Sequence, residues 1–148
     1  MSLAIRRATL SDVPAILSLE QQAPMAAHWP AAEYARVVAT QTILVAESEG
    51  DLRGFVCAAS VADEWELENI VVANDYLRRG IADALLRGLL DNARRAHVAR
   101  VLLEVRESNL PARRLYEKHG FQKTGERRAY YQHPAEGAIL YEWGTDSR

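Results

Sequence analysis

The stretch that decides the fold is residues 70–82, IVVANDYLRRGIA. An apolar run ends a predicted strand, a short polar segment with two arginines follows, and a helical pattern begins at Gly80. The first turn of a helix has unpaired backbone N–H groups at the positive end of the helix dipole, and such an end binds phosphate. The segment therefore predicts an anion-binding turn, in which glycine lets a ligand approach the backbone. The alternative is an ordinary strand-to-helix turn whose two arginines are solvated.

The rest of the chain alternates between strand and helix patterns on both sides of this turn. The helix that starts at Gly80 extends to residue 96, and a later helix is capped by Asn109 and closed by Gly120. Strands are predicted at 3–7, 42–46, 54–61, 64–72, 101–105, 121–131 and 138–143, and earlier helices near 13–17 and at 31–40. This order predicts an α/β (α+β) fold, in which a mixed sheet has helices on both faces.

The predicted strand at 64–72 has a pattern of its own. Successive residues of a strand point to opposite faces of the sheet. One face is therefore expected to carry Glu64, Glu66 and Glu68, and the other Trp65, Leu67 and Asn69. The strand ends in a continuous apolar run at residues 70–72, which is typical of a strand that enters the core.

Composition and charge narrow the class of protein. The 148 residues fit one domain, 1–148, with 49% apolar and 26% charged residues. A formal net charge of −2 gives no electrostatic reason to expect nucleic acid or a membrane as partner. The histidines lack metal-ligand spacing, so no metal is expected, and Cys57, the only cysteine, lies among apolar residues that predict a buried thiol. Without a membrane-length apolar run or a signal-peptide pattern, we expect a cytoplasmic protein.

A second pair of motifs follows the turn, and together with the turn they resemble a known protein family. Residues 102–109 read LLEVRESN, and residues 112–121 read ARRLYEKHGF. With LRRGIA at 77–82, these stretches resemble the GNAT superfamily of N-acetyltransferases. That family has a turn Arg/Gln-x-x-Gly-x-Gly/Ala, then a strand ending in Glu-Val, an Asn, a helix with Leu-Tyr, and Gly-Phe. Gly80 and Ala82 match the turn, whereas Leu77 stands where the family usually has Arg or Gln.

The resemblance implies a fold and an activity. The implied fold is a single GNAT domain, whose mostly antiparallel sheet of about seven strands is splayed between the fourth and fifth strands. Within the family, residues 67–72, 103–106 and 127–131 resemble the bacterial ribosomal-protein-alanine N-acetyltransferase (RimI-type) group. The implied reaction transfers an acetyl group from acetyl-CoA to the N-terminal α-amine of a protein. The implied partner is an acceptor N-terminus, with a ribosomal protein as one candidate, and the enzyme is a monomer or a weak homodimer.

Two catalytic roles are implied by the same resemblance. Glu104 is the implied general base, with Glu68 as its rival, and Tyr116 is the implied acid that protonates the departing thiolate. Glu104 could instead be a structural carboxylate paired with Arg106 or Arg78. Tyr116 could instead be an ordinary core tyrosine. A backbone N–H near Val72 is the implied donor to the oxyanion.

The binding residues complete the prediction. The coenzyme is expected to contact Ile70, Val71, Val72, Leu77, Arg78, Arg79, Gly80, Ile81, Ala82, Asn109 and Tyr116. The acceptor is expected to contact Trp29, Glu68, Asn69, Tyr130 and Tyr131, although only one of the adjacent tyrosines should reach it. Arg78 or Arg79 is expected to compensate for Leu77. Two other functions stay open, a GNAT enzyme for a small-molecule amine and a non-catalytic acyl-CoA-binding module.

Overall fold

The predicted strands meet in one sheet. The computed structural model describes residues 2–23, 26–77, 79–132 and 135–144, and this part of the chain holds seven strands and four α-helices. The strands are β1 (Ala4–Arg7), β2 (Thr42–Ser48), β3 (Asp51–Val61), β4 (Glu64–Val72), β5 (Arg100–Arg106), β6 (Gln122–Gln132) and β7 (Ala135–Gly144). The helices are α1 (Val13–Gln21), α2 (Ala31–Thr40), α3 (Ile81–Arg95) and α4 (Leu110–Lys118), and single 3₁₀ turns at Leu10–Asp12 and Asn74–Tyr76 precede α1 and α3.

The sheet divides between β4 and β5. The strand order is β1-β2-β3-β4-β5-β7-β6, and every neighbouring pair is antiparallel except β4 and β5. These two parallel strands pair only at Glu64–Arg100, Trp65–Val101 and Glu66–Leu102. Beyond that point each strand continues without pairing to the other, so the sheet opens. The mixed, mostly antiparallel sheet splayed between its fourth and fifth strands is thus confirmed.

The two faces of the sheet carry different helices. α3 buries Leu85, Leu86 and Leu89 completely on one face, where α4 contributes Tyr116. On the other face, α1 and α2 bury Ile16 and Tyr34. This arrangement confirms the predicted placement of helices on both faces. No helix among the described residues is long and apolar enough to cross a membrane.

One extra residue interrupts the pairing of β3 with β4. Asn69 lies opposite Cys57 and Leu67 lies opposite Ala58, so Glu68 has no partner of its own in the register. This is a β-bulge, in which two residues of one strand face one residue of the other. Because side chains alternate with a period of two, the extra residue reverses the faces of all residues after it.

The bulge corrects the predicted faces of β4. The expectation that Asn69 shares a face with Trp65 and Leu67 is wrong. Leu67 packs in the core against α3, whereas the Asn69 amide donates a hydrogen bond to the Tyr34 hydroxyl on the face of α1 and α2. The segment between the predicted strands at 121–131 and 138–143 lies partly outside the described residues, and β7 begins at Ala135.

Candidate active site

A cavity of about 690 Å³ lies where β4 and β5 diverge. Its size is typical of a site for a small molecule or cofactor. The predicted site residues that line it are Glu68, Asn69, Ile70, Val71, Val72, Leu77, Glu104, Asn109, Tyr116 and Tyr131. Trp29, Arg79, Gly80, Ile81, Ala82 and Tyr130 lie outside its lining, and Arg78 lies outside the described residues. The cavity thus brings together residues predicted for catalysis, for coenzyme binding and for acceptor binding.

The predicted anion-binding turn leads into α3. Gly80 precedes the helix with φ 78° and ψ 9°, a left-handed conformation that favours glycine. A Cβ atom at Gly80 would meet no atom within 4 Å, so the space beside the turn is open. Ile81, which follows, is buried in the core and fixes the start of the helix. This geometry fits the binding of a diphosphate at the N-terminus of α3.

Two arginines and a tyrosine lie beside this turn. The guanidinium groups of Arg53 and Arg79 lie 4.3 and 4.9 Å from the centre of the Tyr76 ring. The Arg53 carbonyl also accepts a hydrogen bond from the Ala73 N–H at 2.8 Å, which ties β3 to the end of β4. The sequence analysis missed Arg53, because its position on another strand gives no local signal of a place beside the turn.

Tyr116 lies on α4, with its side chain towards the cavity. The Asn109 side chain accepts a hydrogen bond from the Ala112 N–H at 3.3 Å, so the predicted helix cap is confirmed. Tyr116 is 4% exposed, and its ring packs against Phe121 and Tyr141. Burial is the main reason that the pKa of Tyr116 is raised above its usual value. The phenol therefore stays protonated at neutral pH, and the same shift makes it a weaker acid than an exposed tyrosine.

A polar network behind Tyr116 holds α4 against β7. The Tyr141 hydroxyl donates a hydrogen bond to the Glu117 carboxylate and accepts one from Arg113 Nε at 3.2 Å. Arg113 Nη1 also donates to the carbonyl of Glu107 at 2.9 Å. The sequence analysis missed this support, because the partners come from separate elements and the network forms only when the chain folds.

The two candidate bases occupy different surroundings. The Glu104 side chain is 29% exposed, and its carboxylate lies 3.5 Å from Arg127 Nη2. Arg106, one of the two partners considered for a structural Glu104, forms an ion pair with Glu136 at 3.1 Å. Burial, followed by the carboxylates of Glu66 and Glu33, raises the pKa of Glu68 above its ordinary value.

The two adjacent tyrosines of β6 also differ. Tyr131 lines the cavity and lies under the Arg106 guanidinium, 4.3 Å from the ring centre. Tyr130 is 46% exposed and lies beside Arg127. Of the two tyrosines, Tyr131 therefore lines the cavity and Tyr130 does not. The Glu136 carboxylate accepts hydrogen bonds from the N–H and the hydroxyl of Ser108, which fixes the start of β7 against the end of β5.

The segment between α1 and α2 forms another wall of the cavity. Ala23, Ala26, Ala27 and His28 line the cavity from this side. The Asn69 amide donates a hydrogen bond to the carbonyl of Ala27 at 2.9 Å. Trp29, which the sequence analysis assigned to the acceptor, packs its ring against Tyr34 with centroids 5.1 Å apart.

The described residues contain no group of three or more His, Cys, Asp or Glu side chains arranged to hold a metal ion. The polar side chains that line the cavity are carboxylates, phenols, amides, the His28 imidazole and the Arg106 guanidinium. Cys57 is fully buried, and burial raises the pKa of its thiol.

Comparisons with known proteins agree with this geometry. The family model of the acetyltransferase (GNAT) family matches residues 11–121. A protein of Escherichia coli strain K12 named ribosomal protein bS18-alanine N-acetyltransferase is 37% identical over 122 residues, which cover 82% of each chain. A Mycobacterium tuberculosis protein named N-alpha-acetyltransferase RimI is 38% identical over 125 residues, 80% of this chain and 76% of the relative.

The fold agrees as well. The crystal structure of the ribosomal-protein-S18-alanine N-acetyltransferase from Escherichia coli superposes with a TM-score of 0.87 and 33% sequence identity. The match covers 97% of this chain and 94% of that chain. Fold, motifs and relatives therefore place the chain in the acetyltransferase (GNAT) family.

Proposed function

We propose that this protein transfers the acetyl group of acetyl-CoA to the α-amine of a protein N-terminus, and that an alanine-starting ribosomal protein is the natural class of acceptor. The observation that carries the proposal is the cavity between β4 and β5, which is lined by Glu104, Glu68 and Tyr116 together. The names and identities of the relatives support the choice of a protein N-terminus as acceptor.

The coenzyme binds on the side of the cavity lined by Leu77, in the turn before α3, and by Asn109 and Tyr116 at α4. The open space at Gly80 and the N–H groups of the first turn of α3 receive the diphosphate. Acetyl-CoA supplies an acyl group activated as a thioester. Val72 and Asn109 line the same cavity as Tyr116 and are candidates to contact the rest of the coenzyme. Leu77 lacks the hydrogen-bonding side chain usual at its position, so the backbone carries more of the binding.

The acyl transfer requires a base that removes a proton from the amine and an acid that supplies a proton to the thiolate. An α-amine with a pKa near ~8 is partly unprotonated at neutral pH, and a carboxylate at the cavity accepts the proton that the amine loses as it attacks the carbonyl carbon. Glu104 is the first candidate for this base and Glu68 the second. When the carbon–sulfur bond breaks, the Tyr116 hydroxyl protonates the leaving thiolate.

The experiment is a comparison of acceptors at fixed acetyl-CoA. An alanine-starting basic peptide, the same peptide with a blocked N-terminus, and a set of small amines and amino acids are incubated with the purified protein. The proposal expects acetylation of the free peptide at its α-amine, located by mass spectrometry, and none of the blocked peptide. The blocked peptide keeps its side-chain amines, so it is the matched control for lysine acetylation.

Two other outcomes count against the proposal in different ways. Turnover of small amines without turnover of any free peptide would assign the enzyme to that other class of acceptor. Binding of coenzyme A measured by calorimetry, with no turnover of any amine, would instead favour a binding module.

A further inference from the structure

Glu20, on α1, is a buried carboxylate that the proposed reaction does not use. Its side chain is 1% exposed. One oxygen, Oε1, accepts a hydrogen bond from the Trp29 N–H at 2.8 Å and lies 3.0 Å from His28 Nδ1. The other, Oε2, is buried without a hydrogen-bond partner among the described residues. A buried carboxylate costs several kcal/mol unless it is paired, so its contacts require an explanation.

The hydrogen bond and the ion pair of Glu20 both go to the segment between α1 and α2. The Glu20 carboxylate also interacts with the Tyr34 hydroxyl of α2 and contributes to the raised pKa of that phenol, for which burial is the largest cause. Asn69 anchors the same segment from the other side, because its amide donates to the carbonyl of Ala27 and to the Tyr34 hydroxyl. Three consecutive residues, Ala27, His28 and Trp29, are thus fixed by side chains of α1 and β4. We call residues 26–30 the acceptor loop.

The position of the acceptor loop relates it to the acceptor amine. Ala26, Ala27 and His28 line the cavity, and α1 and α2 pack on the face of the sheet opposite α3 and α4. Since the N-terminus of α3 and Tyr116 define the coenzyme side, the loop is left to face the acceptor. The His28 side chain is 54% exposed, so its ring is held at one nitrogen and remains accessible.

We propose that Glu20 is a positioning residue for the acceptor loop and that His28, held by it, contacts the acceptor and contributes to its selection. This inference rests on the proposed function. Glu20 touches neither substrate. It acts by holding the Trp29 N–H and the His28 ring in the orientation that completes the acceptor wall of the cavity.

Two substitutions separate this role from a general contribution to folding. Glu20→Gln keeps an oxygen that can accept from the Trp29 N–H, but it removes the charge beside His28 and buries an NH₂ group where Oε2 has no partner. His28→Ala removes the contact between the Glu20 carboxylate and the exposed His28 ring. It leaves the hydrogen bond from the Trp29 N–H to Glu20 in place. Asp91→Asn is the matched control, because Asp91 lies on α3 in an exposed ion pair with Arg94.

The kinetic test measures both substrates separately. Glu20→Gln and His28→Ala are each expected to raise the KM for the peptide about tenfold, with kcat and the KM for acetyl-CoA unchanged within about twofold, because only acceptor binding is weakened. In the double variant the second substitution should add little, since both remove one contact. Equal rises in the two KM values, or additive effects of the two substitutions, would overturn the inference.

A second measurement needs no acceptor. Amide hydrogen exchange of residues 26–29 is expected to be faster in Glu20→Gln than in wild type and in Asp91→Asn, while exchange of α3 is unchanged. Unchanged exchange of the loop contradicts the inference, whichever amine the enzyme uses. A wild-type protein that modifies no peptide contradicts the proposed function instead. If Glu20→Gln does not fold, His28→Ala still decides the kinetic test.

Discussion

The two sides of the cavity are built in different ways. The side proposed for the coenzyme consists of two short stretches of sequence, the turn before α3 and the start of α4, and each is shaped by local features such as Gly80 and the Asn109 cap. The acceptor side is assembled from distant parts of the chain. Its central hydrogen bond joins Asn69 to Ala27 across 42 residues.

This difference explains what a family resemblance can and cannot identify. A backbone turn that binds a diphosphate can be recognised from a few residues, because glycine conformation and helix capping are local properties. An acceptor wall depends on which loops the fold brings together, so it leaves no compact motif. The following predictions test whether the two sides are also separate in function.

The largest effect is expected from Tyr116→Phe. Loss of the proton donor to the thiolate should lower kcat by about 100-fold or more, the range of general acid catalysis. Phenylalanine fills the same buried space, so the affinity for coenzyme A and the thermal unfolding should change little. Stopped assays of kcat and calorimetry with coenzyme A measure the two quantities. Wild-type turnover by this variant would remove Tyr116 from the mechanism.

The next effect distinguishes the two carboxylates. Glu104→Gln should lower kcat by about 100-fold if Glu104 is the base, and Glu68→Gln should then lower it only by a small factor. A larger loss of kcat in Glu68→Gln than in Glu104→Gln would instead identify Glu68 as the base. Both variants should retain coenzyme A binding, because neither residue contacts the diphosphate turn. Equal losses in both would indicate that the two carboxylates act together.

The pH dependence of kcat/KM sharpens the same distinction. Because burial raises the pKa of Glu68, this carboxyl becomes protonated, and inactive as a base, at a higher pH than an ordinary glutamate. If Glu68 is the base, activity should fall with decreasing pH through that raised pKa, and this limb should disappear in Glu68→Gln. If the fall of kcat/KM at low pH persists in Glu68→Gln, a group other than Glu68 causes it.

A smaller effect is expected at the turn before α3. Gly80→Ala places a side chain at positive φ, which should cost about 1–2 kcal/mol of the free energy of unfolding and weaken coenzyme A binding. Gly50→Ala is the matched control, because Gly50 also has positive φ and open space, but lies in the turn between β2 and β3. Chemical denaturation and calorimetry on both variants separate backbone strain from lost binding. Equal coenzyme affinity in the two would argue against a diphosphate at Gly80.

The smallest expected effect is a gain in affinity for acetyl-CoA. Leu77→Arg restores the side chain usual in the family at a residue that is 55% exposed and lines the cavity. A charge-assisted hydrogen bond to the diphosphate should tighten acetyl-CoA binding by about threefold to tenfold, without changing the KM for the peptide. Leu10→Arg, at another exposed leucine, serves as the control for added charge. No gain would mean that Arg79 or the backbone already supplies the contact.

Most of the fold could be predicted from the sequence. The order of strands and helices is as predicted, and the bounds of α2 and β4 agree with the structure, because apolar periodicity reports burial directly. β7 begins at Ala135, three residues earlier than predicted, since backbone pairing with β6 extends it where side chains give no pattern. The bulge at Glu68 could not be predicted, because it is a property of the register between two strands.

The site was predicted in part. Asn109, Tyr116, Glu104 and residues 70–72 were found from motifs, and the structure brings them to one cavity. Glu20 was missed, because a glutamate in a helix is usually exposed and nothing in its neighbourhood signals burial. The placement of Arg127 beside Glu104 also follows from the pairing of β5, β7 and β6, which only the fold determines.

The bulge in β4 adds a carboxylate to the cavity without changing the strand on either side of it. Glu68 has no partner on β3, so the residues before and after it stay in register with that strand. Deleting Glu68 would place Asn69 directly after Leu67, on the face that Asn69 already occupies, and residues 69–72 would keep their faces. Such a deletion would therefore remove the Glu68 carboxylate from the cavity and leave the contact of Asn69 with the acceptor loop in place.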